Sequence, residues 1–218
     1  MFRRKKVDEK REILLQAFYN LEDKLTRNLG VDDVVIAFTA TDDKTMKMDS
    51  IYTMASHLAE EDERVLVIDA NLRADELEEM KSFYNKRGFV DCLLGDFRLD
   101  DVVVRESDNL HLLMTGRVSE YEDMYLEPST ISNFFADCKD RYDYVFINTK
   151  ENIGIAEANV FCGLADKTVV FSTEENLKSY LLEESTSQLE NAGADIKGLI
   201  ISDYVYDDSE LDDLFGGK

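Results

Sequence analysis

Proline occurs once in this chain of 218 residues, histidine twice and cysteine three times, and no apolar run approaches the length of a membrane span. Each scarcity closes off a class of protein. One proline and ten scattered glycines leave no Pro- or Gly-rich linker, repeat or second domain to find. Cys92, Cys138 and Cys162 are odd in number, far apart and without a C-x-x-C pair. That excludes a disulfide or zinc framework and reads them as small buried hydrophobes in a reducing compartment. His57 and His111 have no Cys or His partner at ligand spacing, so neither is assigned to a metal or to general-base chemistry. The roughly 20 consecutive apolar residues of a membrane helix are missing, as is a signal-peptide core, and a cytoplasmic chain is expected. Basic residues are outnumbered 47 to 25, leaving a formal charge of −22 that argues against a nucleic-acid surface. The one dense basic cluster is Arg3, Arg4, Lys5 and Lys6. A solvated terminus is its simplest reading; the alternative is peripheral contact with anionic lipid or an acidic partner at the inner face of the membrane, at about 1 kcal/mol per basic residue.

What is present is enough apolar material, 44% of residues, for one sizeable domain with its own core. Residues 8–28 carry Ile13, Leu14, Ala17, Phe18, Leu21 and Leu25 at helical spacing. Six short, β-branched-rich runs follow: Val34 to Thr39, Val65 to Asp69, Leu110 to Thr115, Tyr144 to Asn148, Thr168 to Ser172 and Gly198 to Ser202. They are apolar on both faces, as strands of a covered parallel sheet are. Helical stripes lie between them: Ile51, Met54, Ala55, Leu58 and Ala59; Leu77, Met80 and Phe83; Ile131, Phe134, Phe135 and Cys138. A further helix is predicted from Thr173 to about Asn191, with Ser and Thr at its capping positions and Gly193 closing it. Val102 to Val104 is short enough to be a helix end or an edge strand. The order is α/β, a doubly wound, mostly parallel sheet flanked by helices, with any ligand crevice at the carboxyl ends of the strands. Three segments are expected: a basic stretch and helix packed on the domain (1–30), the α/β domain (31–202) and an acidic flexible tail (203–218).

Several stretches match, in order and spacing, a known group of proteins: VLVIDANLR at 65–73, GFVDCLLGDFRLDDVV at 88–103, NLHLLMTG at 109–116, RYDYVFINT at 141–149, LADKTVVFST at 164–173 and QLENAGADIKGLIIS at 188–202. Together they make the chain resemble the bacterial tyrosine kinases of capsular and extracellular polysaccharide synthesis, P-loop proteins similar to ParA/MinD-like ATPases. The resemblance implies a P-loop NTPase fold and a phosphate-binding loop after the first strand, within VVIAFTATDDKTMKMDS at 34–50.

In such a loop, glycines let backbone N–H groups approach the phosphates, a lysine reaches the terminal phosphates and a Ser or Thr hydroxyl binds magnesium. With Lys47 matched to that lysine, the preceding glycine becomes Met46, the glycine two earlier Lys44, and the magnesium hydroxyl Met48. Asp43 stands at the family's proline, beside Asp42. Each aspartate would repel bound phosphate by about 1 kcal/mol even at the dielectric of water. The family's aspartate at the end of the second strand survives as Asp69, which equally suits a structural cap for the next helix; the following acidic position is Asn71. The strand YDYVFIN ends in Asn148 where the resemblance implies an aspartate, and the base-contacting asparagine after the last core strand is replaced by Ser202. In the N-terminal helix, the family's Glu and two Arg at three-residue spacing become Gln16, Tyr19 and Glu22, so a closed ring oligomer is not expected. Of the tyrosine-rich tail of relatives, Tyr204 and Tyr206 remain as candidate phosphoacceptors. Asp42, Asp43, Asp49 and Asp69 would converge at one end of the sheet, as a solvated acidic rim or a cation site.

These departures make the expected protein a catalytically degenerate, pseudokinase-like relative, a regulatory or binding subunit in polysaccharide production with no cofactor and no catalytic or metal residues. Its implied partners are the membrane-anchored chain-length regulator or an active kinase paralogue. The alternatives are a divergent tyrosine kinase that holds ATP and Mg through Lys47 and Asp69, and a ParA/MinD-like scaffold or positioning protein.

Overall fold

The computed structural model describes residues 18–45, 47–72, 77, 87–116, 118 and 126–202. After helix α1 (residues 18–26), the elements in order are β1 (Val35–Ala40), α2 (Lys47–Glu60), β2 (Val65–Asp69), α3 (Phe89–Leu93), α4 (Leu99–Val102), β3 (Val104–Arg105) and β4 (Leu110–Leu113). Then come α5 (Pro128–Lys139), β5 (Tyr144–Asn148), α6 (Ala156–Leu164), β6 (Lys167–Ser172), a 3-10 turn (Asn176–Lys178), α7 (Tyr180–Asn191) and β7 (Ile196–Ile201). The seven strands form one sheet in the order β3-β4-β2-β5-β1-β6-β7. All pairings are parallel except β3 with β4, an antiparallel edge.

Alternate side chains of a strand point to opposite faces, so the same apolar run feeds two cores. In β1, Val35 and Ala37 join the face covered by α3, α5, α6 and α7, while Ile36, Phe38 and Ala40 join the face covered by α1 and α2. β5 and β1 lie at the centre of the strand order, and the loops leaving β1, β2 and β5 emerge at the same carboxyl edge. The predicted architecture and all six strand runs stand.

Local detail differs in three places. Val102 to Val104 is both expected things at once, the end of α4 and the start of β3. The helix predicted from Thr173 is interrupted: Ser179 is the true cap, its hydroxyl accepting the Leu181 N–H at 3.1 Å. Asn176 is drawn away to the loop after β1, which prevents one continuous helix. Helices α3 and α6 were not foreseen, and Gly193 does close α7 with φ of 88°. Gly88 and Gly116 lie where two backbones touch: a Cβ on Gly88 would meet the Met114 carbonyl oxygen at 2.0 Å.

Candidate functional site

Three strands deliver polar residues to the carboxyl edge of the sheet. β1 runs into the turn at 41–45 and on to α2, whose first residue, Lys47, is buried although it carries an ammonium group. That cation donates to the Asn148 side-chain oxygen at the end of β5, and to the Thr149 carbonyl at 2.8 Å. The Asn148 amide in turn donates to the Asp69 carboxylate at 3.0 Å, at the end of β2. Asp69 also accepts the N–H groups of Asn71 at 3.1 Å and Leu77 at 2.8 Å. Lys47, Asn148 and Asp69 therefore form one buried chain, cation to amide to carboxylate. Cys162 lies under it, its thiol pushed by burial to about 12 and so neutral.

The loop is tied down by its own aspartate. One oxygen of Asp42 accepts the Lys44 N–H at 3.0 Å and the other accepts the Asn176 amide at 2.6 Å. Asn176 also donates to the Thr41 hydroxyl at 3.2 Å, which lies 3.2 Å from the Ser172 hydroxyl. A loop N–H that a phosphate would use is thus bonded to a carboxylate of the same loop. Lys44 is exposed, with its ammonium 3.7 Å from Glu175. Met48 is buried in the core between α2 and the sheet and offers no oxygen ligand. Ser202 follows β7, its N–H donating to the Ser172 carbonyl at 3.0 Å, so it sits beside the strand that neighbours β1.

Of the residues singled out from sequence, the fold brings Lys47, Asn148 and Asp69 together. Lys44 stays at the rim, and Met46, Tyr204 and Tyr206 lie outside the described residues. Asn176 and Thr149 were missed. A lone loop asparagine after β6 gave no signal for a partner 134 residues away, and Thr149 acts through its backbone.

No family model matches the chain. Among curated proteins it is 24% identical over 151 residues to the tyrosine-protein kinase ptk of Acinetobacter johnsonii, covering 69% of this chain and 21% of that protein. To the tyrosine-protein kinase CpsD of Streptococcus agalactiae it is 21% identical over 175 residues, covering 79% and 76%. Its homologues are bacterial tyrosine kinases of capsule and exopolysaccharide synthesis. The chain thus spans about a fifth of the length of the Acinetobacter relative but three-quarters of the streptococcal one.

The kinase domain of the Escherichia coli tyrosine kinase ETK shares the fold with a TM-score of 0.79 at 21% identity, covering 88% of this chain and 80% of that one. The septum site-determining protein MinD of Pyrococcus horikoshii, solved with Mg-ADP, gives 0.62 at 18% identity over 83% and 76%. These findings overturn the expectation of no cofactor. The relatives are named as kinases and the same fold carries Mg-ADP in MinD. The physical reason is that the lost glycines and hydroxyl did not remove the cation: Lys47 still opens α2 at the carboxyl edge, next to Asn148 and Asp69. An ammonium, a carboxylate and an amide oxygen suit phosphate and the water shell of magnesium, whereas Met48 cannot ligate the metal directly.

Proposed function

We propose that this chain is a nucleotide-binding relative of the polysaccharide-synthesis tyrosine kinases with attenuated phosphoryl transfer, acting as a regulatory or binding subunit in capsule or exopolysaccharide production. The observation that carries the proposal is the Lys47 ammonium held between Asn148 and Thr149, with Asp69 behind. A cation there attracts phosphate, but an amide takes up no proton at neutral pH, so residue 148 supports binding and not proton removal. Lys47, Asp69 and the amide oxygen of Asn148 would hold the magnesium nucleotide. A membrane-anchored chain-length regulator or an active kinase paralogue is the partner, met at the inner membrane face. No described helix is long and apolar enough to cross a membrane.

The 1–30 segment, the 31–202 domain and the 203–218 tail divide this work: the domain binds nucleotide, and Tyr204 and Tyr206 are acceptors for an active kinase. A closed ring is not part of the reading, because Tyr19 and Glu22, which replace the family's helix arginines, are engaged by His57 of the same chain.

Calorimetric titration with Mg-ADP and Mg-ATP, paired with a phosphotyrosine assay, tests the proposal. Saturable binding that disappears in Lys47→Met, without phosphotyrosine formation, is expected. Absence of binding overturns the nucleotide part; autophosphorylation by the isolated chain overturns the regulatory part.

A further inference from the structure

Away from the crevice, the far end of α2 meets α1 in a cluster that sequence spacing concealed. His57 lies in the last turn of α2 and Glu61 just past its end, the Glu61 N–H donating to the His57 carbonyl at 3.1 Å, and Glu22 approaches from α1. One ligand atom from each of the three lies within 4.8 Å of the others. We propose that Glu22, His57 and Glu61 bind a divalent transition ion of the zinc class.

The donor set is one imidazole and two carboxylates, the mixture that borderline ions accept and that separates them from the all-oxygen preference of magnesium and calcium. Ligands sharing a tetrahedral zinc sit about 3 to 4 Å apart, given bonds of about 2.0 to 2.2 Å. The exposed Glu61 can close the remaining gap by rotating its side chain.

Charge favours a cation as well. Glu22 is 5% exposed, a burial that carboxylates tolerate only when compensated. Its surroundings hold Glu61 and Asp23, of its own sign, and one imidazole. Asp23 is already paired with Arg27 at 2.7 Å. The Tyr19 ring stands over His57 with centroids 4.1 Å apart, an apolar wall that fixes the imidazole plane. A bound ion would staple α1 to the end of α2. His57 lies ten residues beyond Lys47, about 15 Å along the helix, so this site is separate from the nucleotide crevice.

Zinc and cobalt titrations of the full chain test the assignment. One saturating ion per chain is expected, with affinity falling about 100-fold or more in His57→Gln and in Glu61→Gln, since loss of even an outer-shell partner costs about 10- to 100-fold. Glu60→Gln, one residue away on the exposed side, should leave binding unchanged and controls for diffuse attraction to an acidic protein. The chain has only two histidines, so cobalt should shift the ring-proton NMR signals of His57 and spare those of His111. Glu61→Gln keeps the test open if Glu22→Gln detaches α1. Absence of saturable binding, equal loss in Glu60→Gln, or retention of full affinity in His57→Gln would overturn the proposal and leave Glu22 and His57 as a plain ion pair.

Discussion

Removing the charge of Asp42 should make the chain a better nucleotide binder. Its carboxylate holds the Lys44 N–H at 3.0 Å and the Asn176 amide at 2.6 Å, the place a phosphate oxygen would compete for. A phosphate about 5 Å from that carboxylate is opposed by about 0.8 kcal/mol per charge pair at the dielectric of water, and about 3 kcal/mol at an effective dielectric near 20. Asp42 is half-buried and Lys44 offsets part of the repulsion, so the result belongs between these limits. In affinity those limits are about 4-fold and about 140-fold. Asp42→Asn is the informative variant, because its side-chain oxygen can still accept from Lys44 while the charge is gone. Calorimetry with Mg-ADP at low salt should show the tightening, and it should shrink as salt rises because exposed charges are screened beyond about 10 Å at 0.1 M. Unchanged or weaker binding with an unaltered melting temperature would refute the reasoning, since the loop would then be intact and the carboxylate irrelevant to phosphate.

Asn148→Asp, the residue the resemblance implies at this position, would put a second carboxylate about where an amide now donates to Asp69 at 3.0 Å. Two buried carboxylates that close do not both ionise readily, so thermal melting should fall without nucleotide and recover more than wild type does on adding Mg-ADP; an unchanged melting point would refute this. Gly88→Ala would drive a Cβ to 2.0 Å from the Met114 carbonyl oxygen, a backbone atom with little room to yield. A loss of about 1 to 3 kcal/mol in urea unfolding is expected, and a neutral result would show that α3 shifts freely. Burial pushes the thiols of Cys92, Cys138 and Cys162 to about 12, so at mildly alkaline pH a disulfide reagent should leave the folded chain untouched and label all three after denaturation. Asp143 is held below its ordinary value of 3.8 by the hydrogen bonds of Arg64. Its folded form loses the proton more readily than the unfolded one, so its stabilisation is full above about 4 and lost as pH falls through the lowered value. Asp143→Asn should flatten the acid limb of the stability profile measured by urea titration, and an unchanged limb would assign acid sensitivity elsewhere.

The sheet was readable because each central strand is a short β-branched run buried on both faces, a pattern that hardly depends on distant partners. α6 was not readable: AEANVFCGL is apolar nearly all round and offers no stripe. The break at Ser179 was hidden for another reason, since Asn176 opens a 3-10 turn and its side chain bonds with Asp42 and Thr41 after the neighbouring strand β1. Lys47 and Asp69 were singled out only through the family resemblance, matched position by position, and the amide between them acquires meaning only when β5 lies beside β1 and β2. The same limit hid the Glu22 and His57 contact, which joins helices 35 residues apart.

Residue 48 shows how the loop and the core compete for one position. It is the second residue of α2, and its side chain is 6% exposed, packed in the cluster with Ile51, Phe38 and Phe171. A magnesium-binding hydroxyl at this point would give up the burial of a methionine side chain, about 1.5 to 3 kcal/mol by area. Lys47, one residue earlier, is also buried and turns its ammonium to the Asn148 side-chain oxygen and the Thr149 carbonyl. Adjacent residues on the first turn therefore serve different ends: the thioether fastens α2 to the sheet, and the ammonium places a buried positive charge at the carboxyl edge of the strands. Under the proposed function, attraction between phosphate and the Lys47 charge would not need the hydroxyl that residue 48 lacks, and comparing Mg-ADP binding by wild type and Lys47→Met tests that separation.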